Sequence, residues 1–247
     1  MAKFADEANR SAKELSTTTN AYAKASLIFY QQGLKGTDVT DRANVVMKMA
    51  NVTKEAADDV SSYMTAIWNN FDDGSKSLEY YADVLTKLGA TTASSTAEIS
   101  GGLEKFASIG KTVGLSYEYA ASALATITAK TRQSEDVVGT ALKTIFSRIE
   151  GLKLGETLED GTDLNKYSEA LLSVGVNIKD QQGNLKDMDS ILDEIGAKWE
   201  QLNRDQQVAL AQSVGGIRQY NQFISLMDNW DFMEQNVETA RNASGEL

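Results

Sequence analysis

The sequence predicts an all-α protein: an irregular multi-helix bundle of short capped helices, with one small β-hairpin or extended hook near 176–187. Three observations carry that expectation. The 247 residues include no proline, the residue that costs about 3 kcal/mol inside a helix and most often ends helical runs. Apolar residues recur at spacings of three and four through most of the chain. Ser, Thr or Asp stands ahead of many of these runs, where its oxygen can accept from the free N–H groups of a first helical turn.

In order, Phe4, Ala8, Ser11, Leu15, Thr18, Tyr22, Ala25 and Phe29 alternate four and three apart. This predicts a long N-terminal helix within 1–36, either an amphipathic helix lying on a neighbour or a seam open to coiled-coil continuation. Gly33 and Gly36 end it. Thr37 or Asp38 then opens a helix with Val39, Ala43, Val46 and Met49 on one face. Thr53, with Glu55 behind it, is expected to open another, carrying Ala56, Val60, Met64, Ile67, Trp68 and Phe71 and closed by Asp72 to Gly74. Leu78, Tyr81, Leu85 and Leu88 mark the next. Ser95, Ser116 and Ser134 each precede an apolar run with acids or a polar turn at its start, the arrangement that suits the positive end of a helix. These three caps lie 21 and 18 residues apart, but no residue-level period accompanies them, so a bundle is favoured over a solenoid.

Residues 37–152 therefore read as a helical core. Residues 153–165 read as a linker, within a Gly-rich, acidic stretch of weak periodicity from Gly151 to Asn165. Residues 166–247 read as a helical subdomain. Its first helix carries Tyr167, Ala170, Leu171 and Val174 and ends at Gly175. Val176 and Ile178 then alternate, a polar turn follows with Gly183, and Leu185 stands beyond it, which predicts the hairpin or hook packed on helices. Helical spacing returns through Met188, Ile191, Leu192, Ile195, Trp199 and Leu202, through Val208 to Val214, and after Gly215-Gly216 through Ile217 to Trp230.

Composition narrows the chemistry. The chain has no histidine and no cysteine, so it lacks the side chain that ordinarily titrates near neutrality, the thiolate nucleophile and the two commonest transition-metal ligands. Thirty-five acids against 24 basic residues give a net charge of −11, which argues against nucleic acid and anionic membrane surfaces as partners. No apolar run approaches the roughly 20 residues of a spanning helix. The best candidate, Ala25 to Tyr30, is too short, and the first residues do not read as a secretory signal.

Several constellations were weighed for function. Asp180 to Asp187 contains acids and an Asn around a Gly but lacks calcium-loop ligand order, and reads as a solvated turn. Gly101-Gly102 and Gly215-Gly216 lack the context of phosphate cradles and read as close helix packing or a helix break. Asp58-Asp59 and Asp72-Asp73 are adjacent acids that point apart. Trp68, Trp199 and Trp230, and the pair Tyr80-Tyr81, read as core. No residue is singled out as catalytic, cofactor-binding or metal-ligating, no cofactor is expected, and the chain is expected not to be an enzyme.

Several strings resemble one family. They are Tyr22 to Gly33, Met47 to Thr53, Leu78 to Ala90, the Gly139-Thr-Ala-Leu helix running to Ile149 after a Ser-Glu start, Val174 to Leu185, and Val214 to Tyr220. In order and combination, over roughly 20 to 230, the chain resembles the core region of the tail tape measure proteins of long-tailed phages and prophages. The resemblance implies a virion structural protein that lies in the tail lumen, sets tail length by templating tube assembly, and leaves before or with the genome during ejection. It implies tail tube protein, tail-tip proteins and tail assembly chaperones as partners, with scope for self-association. It also implies residence in the host cytoplasm during assembly and membrane contact only during ejection. Such proteins are longer, so this chain is expected to be a portion of one. Two other readings stay open here: a membrane-active helical module aiding genome delivery, and a carboxylate-based cell-wall hydrolase module.

Overall fold

The computed structural model describes residues 2–151 and 165–247. Its twelve α-helices are α1 (Ala2–Glu14), α2 (Thr19–Gln31), α3 (Thr37–Thr53), α4 (Ala57–Phe71), α5 (Leu78–Thr91), α6 (Thr96–Thr112), α7 (Tyr117–Thr131), α8 (Glu135–Gly151), α9 (Asn165–Ser173), α10 (Met188–Trp199), α11 (Arg204–Met227) and α12 (Trp230–Arg241). The protein is all-α, as the proline-free, capped sequence predicts. The expected linker, from 153 up to the start of α9, lies outside the described residues.

The caps do what their spacing implies. Ser95 accepts from the Glu98 N–H at 3.2 Å while Glu98 Oε2 accepts from the Ser95 N–H at 2.7 Å, a reciprocal capping box that satisfies two otherwise free donors. Ser116 and Ser77 cap α7 and α5 through the Tyr119 and Tyr80 N–H groups. Asn203 and Gln206 form a second capping box at the start of α11.

Helix α7 is the axis of the core. Every residue from Tyr119 to Thr128 on it is buried, and α5, α6, α8, α11 and α12 pack around it. Its small residues, among them Ala120, Ala121, Ala123 and Ala125, let neighbours approach on all sides. The α6 and α8 helices meet just as closely. A Cβ built on Gly139 would lie 2.7 Å from the Gly102 carbonyl oxygen, and Phe106 meets Phe146 at 5.6 Å between ring centres. Within this core Asn236 of α12 donates to Thr126 Oγ1 at 3.0 Å.

Three expectations need correction. The single long helix expected within 1–36 is two, α1 and α2, broken where Ser16 takes a positive φ of 52°. Its four-three seam is not an open coiled-coil face: Ala8, Ser11, Tyr22, Ala25 and Phe29 are buried in the protein's own core. Thr53 closes α3 rather than opening α4. Its hydroxyl donates back to the Met49 carbonyl at 2.9 Å, Lys54 follows in the left-handed region, and Ala56 stands at the N-cap of α4 with no side-chain hydrogen bond.

The small β-hairpin is not formed either. Over 176–187 the described chain makes one isolated antiparallel bridge, Lys179 with Leu185, and turns around Asp180. Val176 and Ile178 are both buried, and the far arm is tied to this one by the Asp180 N–H to the Asn184 carbonyl at 2.8 Å and the Lys186 N–H to the Ile178 carbonyl at 2.9 Å, a short hook rather than paired strands. Gly175, with φ 76°, and the start of α10 after Asp187 bound this hook on both sides.

Candidate functional site

The motifs weighed for chemistry fall into structural positions. Asp180 Oδ1 accepts from the Gln182 and Asn184 N–H groups at 2.9 and 2.8 Å, so the carboxylate closes its own turn. Asp72 and Asp73 do the same for Gly74 and Ser75, each at 2.9 Å, while Asp58 and Asp59 are exposed in the first turn of α4. Gly102 lies where α6 meets α7: an added Cβ would stand 2.3 Å from Leu124 Cδ2. Gly216 breaks α11, with φ 65° and ψ 172°, and the Arg148 guanidinium lies against it.

All three tryptophans are buried. Trp68 donates to the Leu78 carbonyl at 3.2 Å and lies 6.1 Å from Phe29 between ring centres. Tyr81 is buried, and Tyr80 meets it edge-on at 5.7 Å.

Two carboxyl groups are displaced toward the neutral form. Burial pushes Glu55 up, opposed by the hydrogen bond it accepts from Tyr63 and reinforced by Asp59. It faces a shallow cleft of about 300 Å³ with Ser62 and Glu104. Burial likewise pushes Asp189 up, against the hydrogen bond it accepts from the Ser116 N–H at 3.0 Å. Each carboxyl is held by donors of the protein itself. The Tyr63 hydroxyl that meets Glu55 at 3.0 Å is itself driven far up by burial, so it stays a donor and offers no proton-transfer partner near neutrality.

A larger concavity lies elsewhere, among α10, the C-terminal end of α11 and α12, with a volume of about 550 Å³. Its floor is Gly196, Trp199, Met227 and Trp230, all buried. Gly196 is required by the geometry: a Cβ there would lie 2.2 Å from the Trp230 indole, so only hydrogen allows that ring to lie on α10. Trp199 Nε1 donates to Asp228 Oδ1 at 2.6 Å and meets Phe223 edge-on at 6.1 Å. Both indoles are thereby packed into the fold.

The rim of this groove is acidic. Glu200, Asp228, Asp231 and Glu234 line it and are exposed. Arg204 faces Asp228 at 3.9 Å; among the described residues the other three carboxylates have no basic partner. A carboxylate rim over this closed floor can take cationic side chains through ion pairs at the rim. Sequence reading placed Trp199 and Trp230 in the core but missed the groove. Its signal was the charge count of the last 61 residues, from Asp187 onward, which hold eleven acids and four basic residues.

Fold and surface together describe an all-α protein whose polar side chains cap helices and close turns, with an acid-rimmed groove among α10, α11 and α12. The chain belongs to the phage-related minor tail protein family, whose model matches residues 6–216, and its role is that of a structural protein of the phage tail. The match ends at Gly216, the break in α11, so α10 lies inside the matched span and the opposite wall of the groove beyond it. No solved structure matches the chain. Among the described residues no helix is long and apolar enough to cross a membrane.

Proposed function

We propose that this chain is the core region of a tail tape measure protein: it occupies the tail lumen, helps set tail length by templating tube polymerisation, and leaves during genome ejection. The observation that carries the reading is the family match over 6–216, a span that holds nearly all of the strings on which the resemblance rests. Tail tube subunits, tail-tip proteins and assembly chaperones are its partners in this reading, and the work is mechanical rather than catalytic.

Tail length tests it quantitatively. A fully helical chain of 247 residues spans about 370 Å at about 1.5 Å per residue. The same chain folded as a sphere is on the order of 45 Å across. Duplicating the segment in frame in the parent phage gene, with tails measured by electron microscopy, is expected to lengthen tails by an amount between those two figures. A value near the upper figure means that the helices are drawn out in the lumen, and one near the lower that they stay packed. Tails of unchanged length would refute the length-setting role.

A further inference from the structure

The chain is electrically polarised along its sequence. Residues 1–54 carry eight basic residues and five acids, whereas the last 61 carry four and eleven. The acidic end holds the groove among α10, α11 and α12, with Glu200, Asp231 and Glu234 unpaired among the described residues and Trp199 and Trp230 fixed in its floor. The basic end holds the complementary shape. The outward face of α2 presents Lys24 and Leu27, with Tyr30 at its edge and Lys35 just beyond the helix. Leu27 is 54 % exposed and Tyr30 42 %, large apolar side chains that a surface helix ordinarily turns inward. Lys24 and Lys35 have no carboxylate partner among the described residues. The buried side of the same helix, Tyr22, Ala25, Ser26 and Phe29, is already committed to the core, so only this outward face is left for another molecule.

We propose that the acidic groove of one copy receives the α2 face of a second copy, giving a head-to-tail contact. Leu27 lies across the groove between its walls, and Lys24 and Lys35 meet the carboxylate rim. Each copy carries one groove and one such face, so the contact is heterologous and leaves a free groove and a free face at the ends of every oligomer. A single helix face in a groove of this volume is a small interface, of the transient class. Its charge makes it salt-dependent, because the Debye length shrinks from about 10 Å at 0.1 M to about 3 Å at 1 M ionic strength. The inference concerns contacts between copies and does not rest on the length-setting reading.

Sedimentation velocity on the 247-residue chain tests it. The expected result is a weight-average mass that climbs with concentration at low ionic strength without levelling at a dimer, and falls to the monomer near 1 M salt. A groove-reversed variant (Glu200→Lys, Asp231→Lys, Glu234→Lys) and a face-reversed variant (Lys24→Glu, Lys35→Glu) should each associate at least about tenfold more weakly. Mixing the two should restore a contact between the now positive groove and the now negative face. All five positions are exposed, and unchanged circular dichroism and urea midpoints establish that the variants fold. A parent chain that stays monomeric at every concentration overturns the proposal. So does association that survives both reversals, or reversed variants that do not recover on mixing. A parent that stays monomeric yet binds oligolysine through the groove overturns the choice of a second copy as occupant.

Discussion

Gly101 and Gly102 are adjacent in the middle of α6, yet replacing each by alanine should move stability in opposite directions. In a helix interior, glycine is about 1 kcal/mol less favourable than alanine, so both substitutions begin with that gain. At Gly101 the new methyl would meet only Glu135, with Cγ at 3.1 Å and Cβ at 3.8 Å, a half-exposed side chain that can shift aside. Gly101→Ala should therefore stabilise the protein by about 0.5 to 1 kcal/mol. At Gly102 the methyl would stand 2.3, 2.8 and 3.1 Å from Cδ2, Cδ1 and Cγ of Leu124. That side chain is wholly buried on α7, and helices on every side of α7 bar its retreat. Overpacking of this kind costs about 1 to 3 kcal/mol, and contacts this short belong near the top of the range. Gly102→Ala should thus lose about 1 to 2 kcal/mol net of its helical gain. Urea denaturation followed by circular dichroism reads both as midpoint shifts of opposite sign at constant slope. Trimming the opposing residue supplies a further check, since Leu124→Ala should cost less in the Gly102→Ala background than alone. A Gly102→Ala protein as stable as the parent, or a Gly101→Ala protein that loses as much, would refute the close-approach argument for α6 and α7.

Three other outcomes are expected. Ser95→Ala removes one half of the capping box at α6, where the Glu98 N–H is satisfied at 3.2 Å, and should lower unfolding free energy by about 1 kcal/mol in the same assay. Asp83 is buried on α5 and accepts from the Gly245 and Glu246 N–H groups, both at 2.9 Å. Asp83→Asn replaces a charged acceptor with a neutral one that has a single carbonyl oxygen, which should cost about 1.5 to 3 kcal/mol, and hydrogen exchange at those two amides should accelerate. Glu55 has its folded pKa raised from the ordinary 4.5, chiefly by burial. The folded state then binds its proton more tightly than the unfolded one, so Glu55's contribution is most favourable below pH 4.5 and is lost as pH rises through the raised value. Glu55→Gln should flatten the decline of stability between pH 4.5 and neutrality, and a steeper decline in the variant would overturn that assignment.

What could be read from the sequence was local. The acceptors of Ser95 and Ser116 stand three residues before the N–H groups they satisfy, so the signal lies within one turn and survives without knowledge of the fold. The same logic misread Thr53, because a hydroxyl that donates back to Met49 at a helix end looks in sequence like one that caps the next helix. The stretch from Phe4 to Phe29 shows a second limit. A four-three pattern reports that one face is buried but not by what, and here the protein's own core covers it. At Val176 and Ile178 alternation reported burial of a loop rather than strand pairing. The groove was out of reach for another reason: Gly196 and Trp230 are distant in sequence, and only their contact, an indole lying where a Cβ would be, turns scattered acids at 200, 228, 231 and 234 into a rim. Glycine pairs read as packing, by contrast, were legible at Gly102, because a glycine in a helix interior is costly unless something close requires it.

The central position of α7 sets an order on synthesis. This helix leaves the ribosome with Thr131, but three of the helices that enclose it, α8, α11 and α12, come later still, and α12 is complete only at Arg241. At about 5 to 20 residues per second that interval lasts on the order of 5 to 20 s. Throughout it, the alanine-rich flank destined to meet α12 faces solvent, as do the hydroxyl of Thr126 and its neighbours. A nascent chain built this way is open to capture by whatever chaperone attends assembly, and α12 acts as the latch that ends that exposure.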